Sequence, residues 1–318
     1  MKNANALIEA LGNKSLMRKA GIIASLLMLL LFFSMMSSRF FSQSNITNIM
    51  LQSSINGIIA LGMTLVIITG GIDLSVGSVV ALSSMVAAKM MVAGWPVSIA
   101  LFVMLSLGLV CGVINGLLVS LLKLQPFLVT LGTMSAFRGI NLIISDGLPV
   151  RGINVDFRNG MNALNSSVPV PVILLFVLAI IFAFVIKYTR YGQYIFAVGG
   201  NEEAARFSCV NTSGVKITTY ALSGFACAIA AIVYLGRLAA ADPQAGVGYE
   251  LDAIAAAAIG GASLAGGRGS LLGTIIGALI LGTLSNGLTI LNVQSFYQTL
   301  FVGLIILVAT TIDRFANK

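Results

Sequence analysis

The stretch ALGMTLVIITGGIDLSVGSVVAL, residues 60–82, joins two apolar runs through Gly70, Gly71 and one carboxylate, Asp73. No other charged residue lies between Arg39 and Lys89. Glycine tolerates the left-handed conformation that ends a helix. Asp73 or Ser75 can accept the free N–H groups that begin another. The stretch therefore predicts a helix break inside a hydrophobic block. Two roles fit Asp73. It caps a turn, or it belongs to a polar path, since an ionisable group within a membrane span is a functional site by default.

The surrounding chain says what that block is. Of 318 residues, 58% are hydrophobic and 9% charged, with a mean hydropathy of +1.02. Soluble domains carry about 25% charged residues, so this is an integral membrane protein lying in a lipid bilayer. Its 34 glycines suit close helix packing in lipid. The net charge of +8 reflects bases at helix ends, which set topology, and gives no reason to expect nucleic acid. Histidine is absent, which removes imidazole as a base or metal ligand. Cys111, Cys209 and Cys227 are too scattered to suggest a metal set. No metal site is expected.

Apolar runs predict about ten transmembrane helices: 20–37, 48–69, 75–93, 97–121, 127–144, 169–186, 216–237, 250–264, 270–291 and 296–313. Residues 1–318 form one transmembrane domain with a cytoplasmic segment 1–19, read as the basic flank of an uncleaved first helix. With both termini in the cytoplasm, twelve of the 18 bases fall inside and six outside, among them Arg138 and Arg237, expected to snorkel. Two longer loops stand apart: 145–168 outside and 187–215 inside.

The chain also repeats itself. NGLLVSLLKLQPFLVTLG (115–132) resembles NGLTILNVQSFYQTLFVG (286–303), so that Gln125, Phe127, Thr130 and Leu131 match Gln294, Phe296, Thr299 and Leu300 at an offset of 169. The same offset carries Asp73 and Gly77 onto Asp242 and Gly246. A GxxxGxxxG pattern at Gly108, Gly112 and Gly116 recurs at Gly269, Gly273 and Gly277. Five spans per half is an odd number, so the second half is inverted, a 5+5 inverted repeat of the kind transporters use.

Further polar groups gather near these breaks. Gly260 and Gly261 interrupt an alanine-rich run, with Asp242, Glu250 and Asp252 on its outer side. Asn115 and Asn286 either line a polar path or hydrogen-bond between helices. The glycines of GGASLAGGRG are followed by no P-loop lysine, so no nucleotide site is expected in this chain. In GGNEEAARF, Asn201 can cap a short helix carrying Glu202 and Glu203 in its first turn and Arg206 at i+4 from Glu202. That segment is either a solvated connector or a docking helix.

Three blocks, 60–82, TRYGQYIFAVGGNEEAARFSCVN (189–211) and GYELDAIAAAAIGGASLAGGRGSLLGTIIGALILG (248–282), resemble the membrane permeases of ribose-type sugar ABC importers. The resemblance runs over nearly the whole chain. It implies an all-α fold similar to the vitamin B12-type importer permeases, in the bacterial inner membrane. It implies a small neutral sugar as cargo, most simply D-ribose. The partners it implies are a cytoplasmic ABC ATPase that uses ATP and Mg, a periplasmic sugar-binding protein and a second permease copy in a homodimer. The chain itself then binds no cofactor and is not an enzyme. By the same resemblance Gly199, Gly200, Asn201, Glu202, Glu203, Ala204, Ala205 and Arg206 form the ATPase-coupling loop. Cys209 departs from relatives that have a small residue such as Gly there. Gly70, Gly71, Asp73, Ser75, Asn115, Asp242, Gly260, Gly261 and Asn286 are candidates for the translocation pathway and its helix breaks. Arg151, Asp156 and Glu250, in outer loops, are candidates for contact with the binding protein. An ion-coupled secondary transporter, with Asp73 or Glu250 as its ion site, is the alternative that ten spans and an inverted repeat also fit.

Overall fold

The computed structural model describes residues 14–161 and 169–316. Residues 1–13 of the N-terminal segment, residues 162–168 and residues 317–318, Lys318 among them, lie outside the described residues.

The helices follow the apolar runs in chain order: α1 (Lys14–Met36), α2 (Gln43–Ile68), α3 (Val76–Val92), α4 (Val97–Ser120) and α5 (Pro126–Ser145). A strand β1 (Val150–Arg151), α6 (Val155–Met161) and α7 (Val170–Tyr188) lead to the short pair α8 (Arg190–Gly200) and α9 (Glu202–Phe207). The chain continues through α10 (Thr212–Leu238), β2 (Ala240–Ala241), α11 (Tyr249–Ile259), α12 (Leu271–Ile290) and α13 (Ser295–Ala316).

Among the described residues six helices are long and apolar enough to cross a membrane: α2, α4, α5, α7, α10 and α12. Shorter apolar helices occupy Ala20–Met36, Val76–Val92 and Phe296–Ile305. At 1.5 Å per residue, α3 reaches about 25 Å and α11 about 16 Å, against a hydrocarbon core of about 30 Å. These two follow the interruptions at Asp73 and Asp242.

α2 is the axis of the packing: every residue from Ser53 to Ile68 is buried. A helix apolar on all sides belongs inside a bundle, and Gly62 lets α2 meet α10, where an added Cβ would lie 2.9 Å from the Ser223 Cα. α4 packs on α10 through Gly108, Gly112 and Gly116, each closed against α10 backbone. The contacts recur under the 169-residue offset. α12 packs on α2 as α4 packs on α10, α11 on α12 as α3 on α4, α11 on α2 as α3 on α10, and α11 on α13 as α3 on α5. α1 and α7 leave this pattern, α1 lying on α12 and α7 on α2. The second glycine set serves different neighbours: Gly273 meets Gly260, Gly277 meets the Ala256 carbonyl, and Gly269 meets the Ile68 side chain.

Outward-facing Met28, Leu31, Met35, Phe102, Ile143, Ile180 and Leu307 are exposed, as a lipid-facing surface requires. Cys111 and Cys227 are buried and Cys209 is exposed.

Candidate functional site

The first break begins where α2 ends. Gly70 has φ +79°. Its N–H bonds to the Ile67 carbonyl at 2.9 Å and that of Gly71 to Val66 at 3.0 Å, the paired closure of a Schellman cap. Gly71 must be small, because a Cβ there would meet the Tyr220 hydroxyl at 2.6 Å. Tyr220 Oη (3.3 Å) and Thr130 Oγ1 (3.2 Å) both donate to the Ile72 carbonyl, which secures the extended chain between two helices.

Asp73 is 2% exposed, and Ser75 and Asn115 are fully buried. Its Oδ1 accepts from the Ser75 backbone N–H at 3.0 Å and from Ser75 Oγ at 2.6 Å. Its Oδ2 accepts from Ser223 Oγ at 3.3 Å. Asn115 Nδ2 donates to Ser75 Oγ at 2.8 Å and reaches Asp73 Oδ1 at 3.5 Å. Thr133 Oγ1 closes the chain by donating to Asn115 Oδ1 at 2.7 Å. Ser75 stands at the N-cap of α3, but its hydroxyl makes no cap bond; the carboxylate two residues earlier draws it away. A buried carboxylate without such donors would be costly. Here α3, α4 and α10 supply them.

The second break carries the same turn. Asp242 Oδ1 accepts from the Gln244 N–H at 2.8 Å, 169 residues after the Asp73–Ser75 bond. Asp242 and Gln244, however, are exposed. Between the two breaks Gly77 and Gly246 touch through backbone, since a Cβ on either would overlap the other's carbonyl oxygen. Gly246 also has φ +73°. Arg138, expected to snorkel, instead lies half-buried, its Nη1 donating to the Pro243 carbonyl at 2.9 Å and the Ala245 carbonyl at 2.6 Å. Asn141 Nδ2 joins it on Pro243 at 3.0 Å.

The loops that follow α5 and α10 are tied together: β1 pairs antiparallel with β2, Val150 opposite Ala241 and Arg151 opposite Ala240. Arg151 and Asp156 are exposed on this surface. Glu250 turns inward. Its Oε1 accepts from Gly248 N–H at 3.2 Å, and its Oε2 lies 2.8 Å from where a Cβ of Gly77 would stand. Gly260 closes against Gly273, and Gly261 has φ +97°. Asn286 is buried away from the Asp73 cluster, and its Oδ1 has no hydrogen-bond partner among the described residues. A polar chain lies along the same helix, with Gln52 Nε2 on Ser285 Oγ at 3.0 Å and Ser285 Oγ on Gln298 Oε1 at 2.8 Å.

The 187–215 loop folds as two capped helices. Thr189 Oγ1 accepts from Gly192 N–H, and Asn201 Oδ1 from Ala204 N–H at 2.9 Å. Glu202 pairs with Lys216 at 2.6 Å rather than with Arg206; an exposed pair of this kind contributes about 0–1 kcal/mol. Glu203 and Arg206 are exposed, and Ala205 is buried beneath them. Cys209 stands at φ +61°, a conformation that favours glycine. Burial pushes the Tyr191 phenol up to about 12, against the lowering effect of its bond to Thr219. That keeps its proton for the hydrogen bond that ties α8 to α10.

Most telling is Gly199. It sits so close to the Ile68 carbonyl that a Cβ would overlap it, and the same carbonyl accepts from Gly267 N–H at 2.8 Å. Gly200, its neighbour, has open space. The loop is thus seated on the end of α2, five residues before Asp73.

Sequence reasoning did not foresee Ser223, Thr133 and Tyr220 at the Asp73 break, because each is an ordinary polar residue on an apolar helix. Phe207, 81% exposed at the end of α9, was also missed. Its signal was an aromatic residue directly after the charged run 202–206. For Arg138 the signal was its place within an apolar span.

Over residues 45–310 the chain matches the protein family described as "Branched-chain amino acid transport system / permease component". It is 44% identical over 300 residues to the ribose import permease protein RbsC of Bacillus subtilis (strain 168), covering 94% of this chain and 93% of the relative. It is 42% identical over 306 residues to the protein of the same name from Escherichia coli (strain K12), covering 94% of each. The D-allose transport system permease protein AlsC of Escherichia coli (strain K12) is 42% identical over 289 residues, 91% of this chain and 89% of that one. No solved structure matches the chain.

Proposed function

The chain belongs to the family described as branched-chain amino acid transport system / permease component, and on that premise we propose that it is the membrane subunit of an ATP-driven importer of a small neutral sugar, D-ribose first. The family description speaks of amino acids, while relatives matched over more than nine-tenths of the chain carry the names of ribose and allose. The buried chemistry favours the sugar. A zwitterion calls for buried charge of both signs. Among the described residues Asp73 is the one buried charged side chain, and it is already bonded to Ser75 and Ser223. Sugar hydroxyls need donors and acceptors of the kind that Ser, Thr, Asn and irregular backbone supply.

One observation carries the mechanism: Gly199 rests on the Ile68 carbonyl. A separate cytoplasmic ATPase that binds ATP and Mg and closes on α9 would push on α8. That push would reach the end of α2 and the break at Asp73 without an intervening flexible joint. Exposed Glu203, Arg206 and Phe207 form the docking face. On the opposite side the ribbon bearing Arg151, with Asp156 nearby, receives a periplasmic sugar-binding protein.

The reciprocal packing of helices 169 residues apart, and the matching turns at Asp73 and Asp242, support two inverted halves of five helices. Ten crossings then place both termini in the cytoplasm of a bacterium, in an arrangement similar to the vitamin B12-type permeases. A second copy completes the pathway as a homodimer, and Asp242, Gly260, Gly261 and Asn286 serve the second half of that path as Gly70, Gly71, Asp73, Ser75 and Asn115 serve the first.

The test is uptake of labelled ribose into proteoliposomes holding the permease, its ATPase and the binding protein. Uptake is expected to require Mg-ATP and both partners. Replacing Glu203 by Lys together with Phe207→Ala is expected to reduce co-purification of the ATPase at least ten-fold. Uptake driven by an ion gradient with no ATPase present, or undiminished ATPase association in that double variant, overturns the reading.

A further inference from the structure

The two breaks are held by different means. At the inner one the ties are neutral hydroxyls and an amide, all within a buried cluster: Thr130 and Tyr220 on the Ile72 carbonyl, Asn115 and Ser223 around Asp73. At the outer one the principal tie is a cation. Arg138 Nη1 directs one hydrogen to the Pro243 carbonyl and one to the Ala245 carbonyl, and Asn141, one turn further along α5, adds a second bond to Pro243.

Three features make this tie releasable. Arg138 is half-buried rather than sealed, so water can replace a carbonyl at the guanidinium. Its other donors have no hydrogen bond among the described residues, and the carboxylates of Glu250 and Asp242 both act on its charge. The turn segment it holds alternates exposed Asp242 and Gln244 with buried Pro243 and Ala245, so half of it already faces outward from the packing. Arginine's fork lets it trade one oxygen pair for another without losing charge.

We infer that Arg138, with Asn141, is the latch of the outer gate, holding the 242–248 break against α5 until a docked binding protein draws it away. The inference rests on the transport reading above. Arg138 is a positioning residue in it: it acts on the path through the backbone of Pro243 and Ala245. Gly246 turns with that segment against Gly77 and passes the movement to the start of α3.

The experiment uses the reconstituted complex with Cys209 replaced by Ser and a reporter cysteine at Ala245, which is 6% exposed. Labelling by a membrane-impermeant maleimide is expected to be slow alone and to accelerate with sugar-loaded binding protein. Arg138→Met is expected to raise labelling without binding protein at least ten-fold and to make ATP hydrolysis independent of it; Arg138→Lys is expected to fall between. A role in folding alone would lower assembly without either change. Labelling and hydrolysis that keep their full dependence on binding protein in an assembled Arg138→Met complex overturn the latch. If that variant does not assemble, a second arm decides: in Asn141→Cys with Pro243→Cys, oxidation is expected to stop uptake and reductant to restore it. Unchanged uptake with the cross-link demonstrably formed overturns the latch. Loss of ATP-dependent uptake in the unmodified complex is a failure of the transport reading instead.

Discussion

Gly77, one residue into α3, and Gly246, in the outer break, press backbone on backbone, and neither has room for a Cβ beside the other's carbonyl oxygen. They are the pair that the 169-residue offset matches. The two interruptions of the chain therefore meet each other. Backbone cannot yield as a side chain can, so Gly77→Ala is expected to lower stability by about 1–3 kcal/mol or more and to reduce uptake sharply. Gly21→Ala, in open space on α1, is its control and should leave both unchanged. Thermal unfolding in detergent and ribose uptake measure the difference.

Asp73 accepts three hydrogen bonds within 3.3 Å, all of which a neutral amide can largely reproduce, since the Ser223 hydroxyl can turn to accept. Asp73→Asn is expected to retain more than half of wild-type uptake, and Asp73→Leu, which strands the Ser75 N–H and the Ser75 and Ser223 hydroxyls without their acceptor, to lose it. The cost of each stranded buried group is about 1–3 kcal/mol. An uptake assay on membranes with equal permease content decides; complete loss in Asp73→Asn would assign the charge itself a role.

Two adjacent glycines in the 187–215 loop should behave differently. Gly199→Ala puts a methyl into the Ile68 carbonyl, whereas Gly200→Ala meets nothing within 4 Å. Gly199→Ala is expected to abolish uptake. If the variant assembles, it should retain ATP hydrolysis that no longer responds to sugar. Gly200→Ala should be silent in both assays. Equal effects from the two would show that the loop does not act through the end of α2.

Cys209 closes α9 with φ +61°, while Val210 N–H bonds back to the Ala205 carbonyl at 3.1 Å. A non-glycine residue in that conformation costs about 1–2 kcal/mol. Cys209→Gly is expected to slow hydrogen exchange of the amides from Ala204 to Val210 by about three- to ten-fold, because the local opening free energy rises by up to that amount. Faster exchange would mean that the cysteine contributes packing that glycine lacks.

How much of this was legible beforehand differs from residue to residue. The break at Gly70 and Gly71, the cap at Asn201, and the apolar spans were readable because each depends on neighbours within four residues along the chain. Of the two residues expected to take up free N–H groups there, Asp73 accepts that of Ser75, while the Ser75 hydroxyl makes no cap bond because it is held between Asp73 and Asn115, 40 residues further on. The expected Glu202–Arg206 proximity gave way to Lys216 for the same reason: α10 brings a closer cation alongside. Arg138 was expected to reach for the interface and instead clamps a carbonyl 105 residues away.

By itself, then, the amino-acid sequence determined that this protein lives in a membrane, where its helices run, where two of them are broken, and that the breaks recur 169 residues apart. Those properties are set by hydropathy and by the conformational freedom of glycine, which act locally. Only the tertiary structure decided that the breaks touch at Gly77 and Gly246, that Asp73 is buried among donors from α3, α4 and α10 while Asp242 stays exposed, and that Gly199 bears on Ile68. A hydrogen bond or a backbone contact across more than a hundred residues depends on which helices the packing brings side by side, and no local pattern along the chain carries that information.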